Sequence, residues 1–173
     1  MTVLGKPIKQ PVEVEVYSIQ FVEDMTDTDE LTSTWQILAR STAANWDGIP
    51  LTTDYTATAS DAGRVIVTDH SVTLPAASDG YLLYVSNKSQ VASITVGSFT
   101  VPARGAVVVA GVGASWVSEA STLSVLIDAP GDQRVRTFVT GGKAGLSYKL
   151  QVAVTTSEGR TLQDELLIRV KDY

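Results

Sequence analysis

Residues 141–173 contain two consecutive stretches in which apolar and polar side chains alternate. The apolar positions of the first stretch are Tyr148, Leu150, Val152 and Val154, and those of the second are Leu162, Leu166, Ile168 and Val170. Period-two alternation predicts strands with one buried face. The polar segment Ser157-Glu158-Gly159-Arg160 separates the stretches, and Gly159 can take the positive φ of a tight turn. The pattern predicts a β-hairpin.

The N-terminal region shows the same periodicity with one change of phase. Val12, Val14 and Val16 alternate with glutamates, and from Tyr17 onwards the apolar residues occupy the other positions. Such a slip predicts a β-bulge, or a strand that passes from one sheet to another. A further strand follows over Leu31, Trp35, Ile37 and Ala39. The predicted core consists of Trp35, Ile37, Tyr148, Leu150, Val152, Ile168 and Val170.

Residues 41–118 differ in composition and contain short apolar segments separated by turn signals. Strands are predicted at Arg64–Thr68, Ser71–Leu74, Tyr81–Ser86, Ser93–Val96, Ala106–Val109 and Ser115–Ser118, and a single helical turn at Asp61-Ala62-Gly63. This spacing is typical of a small sandwich or barrel. After residue 119 the first pattern returns.

Residues 1–40 and 119–173 together approach the roughly 100 residues of an Ig-type sandwich, and neither piece has enough strands alone. We therefore predict an all-β fold: an Ig-like β-sandwich formed by 1–40 plus 119–173, interrupted by an inserted β-domain at 41–118.

The two ends of the chain also carry a family resemblance. The N-terminal YSIQF and DELTSTWQ, and the C-terminal VTTSEGRT with its RVKD ending, resemble the small Ig-like proteins of tailed bacteriophages. These proteins are called fibre-tail adaptors or virion accessory proteins. The VTLPAASDGYLLYVS segment of the middle region resembles β-modules of phage fibres and capsid-surface proteins.

Composition excludes several classes of chemistry. The chain has no cysteine, so disulfides and thiol catalysis are absent. No run approaches the roughly 20 apolar residues of a membrane span, and the N-terminus lacks a signal-peptide core. The net charge of −6 argues against nucleic acid as a partner. One histidine and no cysteine also leave no zinc site.

No arrangement of residues predicts catalysis or a cofactor. His70 and Ser71 are sequence neighbours in a predicted turn and cannot easily form a hydrolytic triad. Gly111-Val112-Gly113 follows a strand without a helix after it, unlike a nucleotide-binding loop. We predict that the protein is not an enzyme.

The candidate partner-binding residues are acidic or aromatic. Glu23, Asp24, Asp27, Asp29 and Glu30 form an acidic segment between two predicted strands, which is either a solvated loop, a docking patch or a calcium site. The segment lacks the glycine and the distal glutamate of a calcium loop, so docking is favoured over metal. Trp46 lies in a predicted polar loop, where it either packs at the domain junction or anchors a partner. Together with Tyr81 and Tyr84 it is also compatible with a carbohydrate platform.

The resemblance implies a non-enzymatic structural protein of the virion, made in the bacterial host cytoplasm. Its most favoured role is a neck or tail adaptor that docks fibres or joins tail parts. A capsid decoration protein is the alternative, and a carbohydrate-binding module is a distant one. The implied partners are fibre, tail, neck or capsid subunits and further copies of the chain, as a trimer or ring. The N-terminal arm, residues 1–11, and the edge of the C-terminal strand are expected to contact neighbouring subunits.

Overall fold

A computed structural model describes residues 8–9, 14–21, 24–41, 45–118, 123–127 and 133–171, and it confirms the all-β fold. In chain order the strands are β1 Ile8–Lys9, β2 Val14–Gln20, β3 Leu31–Arg40, β4 Asn45–Pro50, β5 Tyr55–Thr56, β6 Arg64–Thr68, β7 Val72–Thr73, β8 Leu82–Asn87, β9 Ile94–Val96, β10 Phe99–Val101, β11 Gly105–Val112, β12 Ser115–Ser118, β13 Leu123–Ile127, β14 Arg134–Gly141, β15 Ser147–Thr156 and β16 Thr161–Val170. A 3₁₀ turn spans Ala59–Asp61.

The strands form three sheets. Sheet A has the order β1-β16-β15-β3, and sheet C has the order β10-β9-β7-β5. Sheet B is the largest, with the order β2-β14-β13-β11-β8-β6-β4 and with β12 paired to β11. Successive residues of β6, β8 and β11 belong alternately to two hydrophobic clusters, because side chains along a strand point to opposite faces. Sheet B therefore packs on sheet A with one face and on sheet C with the other.

The predicted C-terminal hairpin is confirmed. β15 and β16 pair from Ser147 opposite Arg169 to Thr155 opposite Thr161, and the turn has the predicted position. Gly159 has a φ of 78°, as the tight turn requires. The apolar face of β15 is completely buried, so its alternation indicated the core correctly.

The strands predicted in the middle region are all present, but their pairing is not that of an antiparallel sandwich. β4, β6 and β8 are parallel neighbours in sheet B, and β5, β7 and β9 are parallel neighbours in sheet C. The chain passes alternately between the two sheets and so makes three turns of a short parallel β-helix, here called the coil. Residue periodicity gives the faces of strands but not their relative direction, which explains why the coil was not predicted.

Residues 41–118 contribute to both hydrophobic clusters. The second cluster, between sheets B and C, consists wholly of residues from this segment, such as Ile66, Leu83 and Val107. The first cluster contains five residues of segment 41–118, packed together with side chains of β3, β15 and β16. The five are Val65, Val67, Tyr84, Ala106 and Val108. The segment thus has a core of its own and also shares one with the rest of the chain. Its division into an inserted domain stays a prediction, which a deletion described in the Discussion tests.

The N-terminal strand follows only the second of its two predicted phases. β2 pairs with β14 without a register shift, so the described strand has no bulge. Ile19 and Phe21 are buried, whereas Val16 is 50% exposed on the opposite face. Val16 is therefore not a core position of an earlier phase, and the side chains of Val12 and Val14 lie outside the described part of the structure.

Trp35 was predicted to lie in the core but is only partly buried. It stands opposite Ala153 in the β3–β15 pair, whereas the buried row of β15 begins at Tyr148 and takes every second residue. The indole therefore lies on the face of sheet A opposite to Tyr148, and it packs against the first cluster although it is only partly buried. The buried Ile37 shares this face with Trp35, so the face alone does not account for the exposure of the indole. The other six predicted core residues are buried.

Candidate partner-binding site

The acidic segment lies against the β15–β16 turn at one end of sheet A, and an ion pair between the buried Asp29 and the partly exposed Arg160 joins them. The Asp29 side chain is fully buried, and its Oδ2 lies 2.6 Å from Nη2 of Arg160. Its Oδ1 accepts hydrogen bonds from Ser157 Oγ at 2.8 Å and from the Glu158 N–H at 3.2 Å. One carboxylate therefore fixes the turn that follows β15, although 128 or more residues separate the partners.

Burial by itself raises the pKa of the Asp29 carboxyl. The hydrogen bonds from Ser157, Arg160 and the Glu158 N–H together lower this pKa by a larger amount. The resulting pKa is about 2, compared with an ordinary value of 3.8. These donors interact best with the ionised carboxylate, so the charged form is the one that the fold stabilises.

Further hydrogen bonds hold the two loops together. Arg160 Nη1 donates to the Asp24 carbonyl at 2.7 Å, and Thr26 Oγ1 donates to Glu158 Oε1 at 2.9 Å. Gln133 Nε2, next to the start of β14, donates to the Thr26 carbonyl at 2.9 Å. Residues 24–30 and 157–160, here called the acidic tip, are therefore one connected unit.

The acidic tip presents several carboxylates to solvent. Its exposed acidic residues are Asp24, Asp27, Glu30 and Glu158. With the buried Asp29 and its partner Arg160, the unit has five acidic groups and one basic group, a net charge of −4. Fixed loops with exposed like charges are suited to a basic protein surface, since little ordering is needed on contact.

The predicted site residues have different positions in the structure. Asp24, Asp27 and Glu30 are exposed together, but Asp29 is buried and serves its own chain, so it cannot contact a partner directly. Glu23 lies outside the described residues. Trp46 lies in β4 and not in the predicted loop, and its side chain is outside the described part of the structure. Sequence reasoning missed Glu158, since its turn signal gave no indication of the neighbouring loop.

Among the described residues, the histidine, serine and tyrosines singled out in the sequence do not form a second site. His70 lies 3.5 Å from Asp69 and 3.9 Å from Asp54, while the Ser71 hydroxyl accepts a hydrogen bond from Thr95. Tyr81 and Tyr84 are buried and cannot form a carbohydrate platform. Within the described ranges, no group of three or more His, Asp or Glu residues could hold a metal. The same residues include no helix with the length and apolar character needed to cross a membrane.

These observations define an all-β protein whose described candidate site is a fixed cluster of exposed carboxylates. Residues 46–169 match the family described as "Podophage GP4 fiber-tail adaptor protein gp77". The match covers well over half of the chain, and the chain belongs to this family of structural adaptors of phage particles. No curated protein and no solved structure matches this chain. The matched range takes in most of residues 41–118, the segment that was predicted from the sequence to be an inserted β-domain.

Replacing Asp29 by asparagine is expected to lower the melting temperature at neutral pH, because the pair with Arg160 is lost. A carboxyl whose pKa is lowered on folding stabilises the protein above its unfolded pKa, and this contribution is lost as the pH falls towards the folded value. The Asp29→Asn variant should therefore lose less stability than the parent protein between about pH 4 and about pH 2.

Thermal unfolding followed by circular dichroism over this pH range measures both effects. The pKa of Asp61 is also lowered, because hydrogen bonds from Thr58 and Tyr55 outweigh the effect of burial, so some acid dependence should remain. Asp27→Asn is the matched control, since Asp27 is exposed in the same loop. Equal melting temperatures of the two variants at every pH would show that the Asp29–Arg160 pair does not stabilise the tip.

Proposed function

We propose that this chain is an adaptor of the neck or tail in a podophage particle, where it docks fibres or joins tail parts. The acidic tip is the proposed contact with a basic surface on a neighbouring virion protein. Family membership supports the adaptor role, and the single structural observation that supports the contact is the fixed cluster of exposed carboxylates around the Asp29–Arg160 pair.

The proposed partners are fibre, tail, neck or capsid subunits together with further copies of the chain in a trimer or ring. The proposed setting is the assembled virion, with synthesis in the host cytoplasm. Charged contacts of this kind chiefly determine specificity and association rate, so salt should weaken the contact.

Neutralising the exposed tip tests the contact. The triple variant Asp24→Asn, Asp27→Asn and Glu30→Gln should reduce the amount of protein in purified particles by about tenfold, which corresponds to about 1.4 kcal/mol of binding free energy. The measurement is quantitative mass spectrometry of particles assembled with the variant in place of the parent protein.

The matched control removes the same number of charges elsewhere. Asp54→Asn, Asp79→Asn and Glu165→Gln alter exposed acids outside the acidic tip, and this variant should incorporate normally. Equal incorporation of both triple variants would refute the tip as the docking surface. Recovery of the parent protein with isolated heads, and not with tails, would instead favour a capsid decoration protein.

A further inference from the structure

The long strand edges of the sandwich differ in how they are protected. An open edge exposes unpaired backbone N–H and C=O groups and can pair with another chain, so folded proteins usually cover it. In sheet A, β1 pairs with β16 through Ile8 and Lys9. Part of the N-terminal arm thus lies on its own chain, contrary to the expectation that the arm contacts a neighbour, and it covers the C-terminal strand.

The opposite edge of sheet A is covered by a side chain. Gln90, from the loop between β8 and β9, accepts a hydrogen bond from the Thr34 N–H at 3.0 Å and donates to the Thr34 carbonyl at 2.7 Å. Its amide therefore takes the place of a neighbouring strand on β3. In sheet B, the β4 edge contains Gly48 with a φ of 75° and ends at Pro50, and its register with β6 is interrupted. Such irregularities hinder pairing with a further strand.

Among the described residues, β2 has none of these protections. It is the terminal strand of sheet B, with seven residues in uninterrupted register with β14, and no described strand lies on its outer side. Because the Phe21 N–H donates to the Gln133 carbonyl at 2.9 Å, the odd-numbered residues direct their backbone groups towards β14. The backbone groups of Val14, Val16, Ser18 and Gln20 consequently point outwards.

The side chains of β2 also favour contact with a further strand. Val16 is 50% exposed although it lies within a regular strand. Glu15 is the single charged residue of β2, and it stands on the same face as the buried Ile19. The strand lacks lysine, proline and glycine, the residues that commonly protect an edge.

We propose that β2 pairs with β2 of a second copy of this chain, in antiparallel orientation and centred on Tyr17. This register overlaps all seven residues and gives Val16 a cross-strand neighbour in Ser18 of the second copy. It also places Glu15 opposite Ile19 of the second copy, so the two glutamates do not face each other. The outward groups of Val14, Val16, Ser18 and Gln20 then all take part in the ladder.

The resulting contact is isologous and joins copies in pairs around a two-fold axis. It adds a defined surface to the self-association in the proposed function, but by itself it closes at a dimer, so a ring would need a second, different contact between the dimers. It does not depend on docking to the particle, because the purified protein alone would show it.

Ser18→Pro tests this pairing. Proline removes one outward N–H and leaves the bonds between the odd-numbered residues and β14, a position that edge strands tolerate. We expect the parent protein to sediment as a dimer or a larger even-numbered assembly. Ser18→Pro should weaken the self-association by about tenfold or more. Ser18→Ala, which keeps the N–H, should resemble the parent protein.

Val16→Lys provides a second test if Ser18→Pro does not fold. Lysine at a half-exposed edge position should keep the melting temperature of the parent while disfavouring a neighbouring strand. Sedimentation velocity from low to high micromolar concentration measures the assembly of each variant. A parent protein that is monomeric throughout, or folded Ser18→Pro and Val16→Lys variants that associate like the parent, would overturn the proposal. Normal dimers together with failed particle docking would instead refute only the proposed acidic contact.

Discussion

Replacing residues 41–118 by a short Gly/Ser linker is expected to leave a β-sheet protein that unfolds cooperatively but at a much lower temperature. All four strands of sheet A and three strands of sheet B, namely β2, β13 and β14, lie outside this segment. These seven strands are enough for the Ig-like sandwich that we propose for 1–40 plus 119–173.

The expected loss arises from the shared core. The first cluster would lose the five apolar side chains that the segment contributes, each worth about 1–3 kcal/mol when fully buried. The edge of β3 would also lose the Gln90 amide. We expect the free energy of unfolding to fall by about 5 kcal/mol or more, a large part of the 5–15 kcal/mol that is typical of a domain.

Far-UV circular dichroism and thermal unfolding measure this result. The reciprocal fragment, residues 45–118, is the companion experiment, since it contains the whole second cluster. Cooperative unfolding of both pieces would support two domains. If neither the deletion variant nor the 45–118 fragment unfolds cooperatively, the three sheets form a single folding unit.

Replacing Gly111 by alanine is expected to lower the free energy of unfolding by about 3 kcal/mol, because overpacking at a fixed backbone contact is costly. A Cβ atom at this position would lie 2.1 Å from the Ser78 carbonyl oxygen and 2.9 Å from the Ser78 nitrogen. The Gly111 N–H also donates to the Tyr81 carbonyl at 2.9 Å, which holds β11 against this loop. The Ser78 carbonyl in turn accepts a hydrogen bond from the Tyr81 N–H at 3.2 Å, so the loop is tied to the residue that Gly111 bonds.

Gly113→Ala is the matched control in the same hairpin. No atom lies within 4 Å of a Cβ at Gly113, but its φ is 57°, so alanine there meets backbone strain of about 1 kcal/mol and no clash. Chemical denaturation of both variants gives the comparison. A Gly111→Ala variant no less stable than Gly113→Ala would mean that the loop before β8 can move away from β11.

The candidate site was predictable only in part. The acidic residues were visible as a cluster in the sequence, and three of them, Asp24, Asp27 and Glu30, are exposed together. Asp29 has the same sequence context and the same charge, yet it is buried because Arg160 and Ser157 meet it from a turn far along the chain. Local sequence does not report such a partner, so the pattern could not separate the docking residues from the structural one.

The sequence by itself determined the all-β class, the hairpin with its turn at Gly159, and nearly every strand of the middle region. These features follow from alternation and turn chemistry, which act between residues close together in the chain. Tertiary structure decided the parallel coil of β4, β6 and β8, the shared first cluster and the partly exposed position of Trp35. It also decided which edges are covered, since Gln90 meets Thr34 and Ile8 meets Arg169 only after the sheets have assembled. Strand direction, sheet order and edge protection depend on contacts between distant segments, and single-chain periodicity contains no information about them.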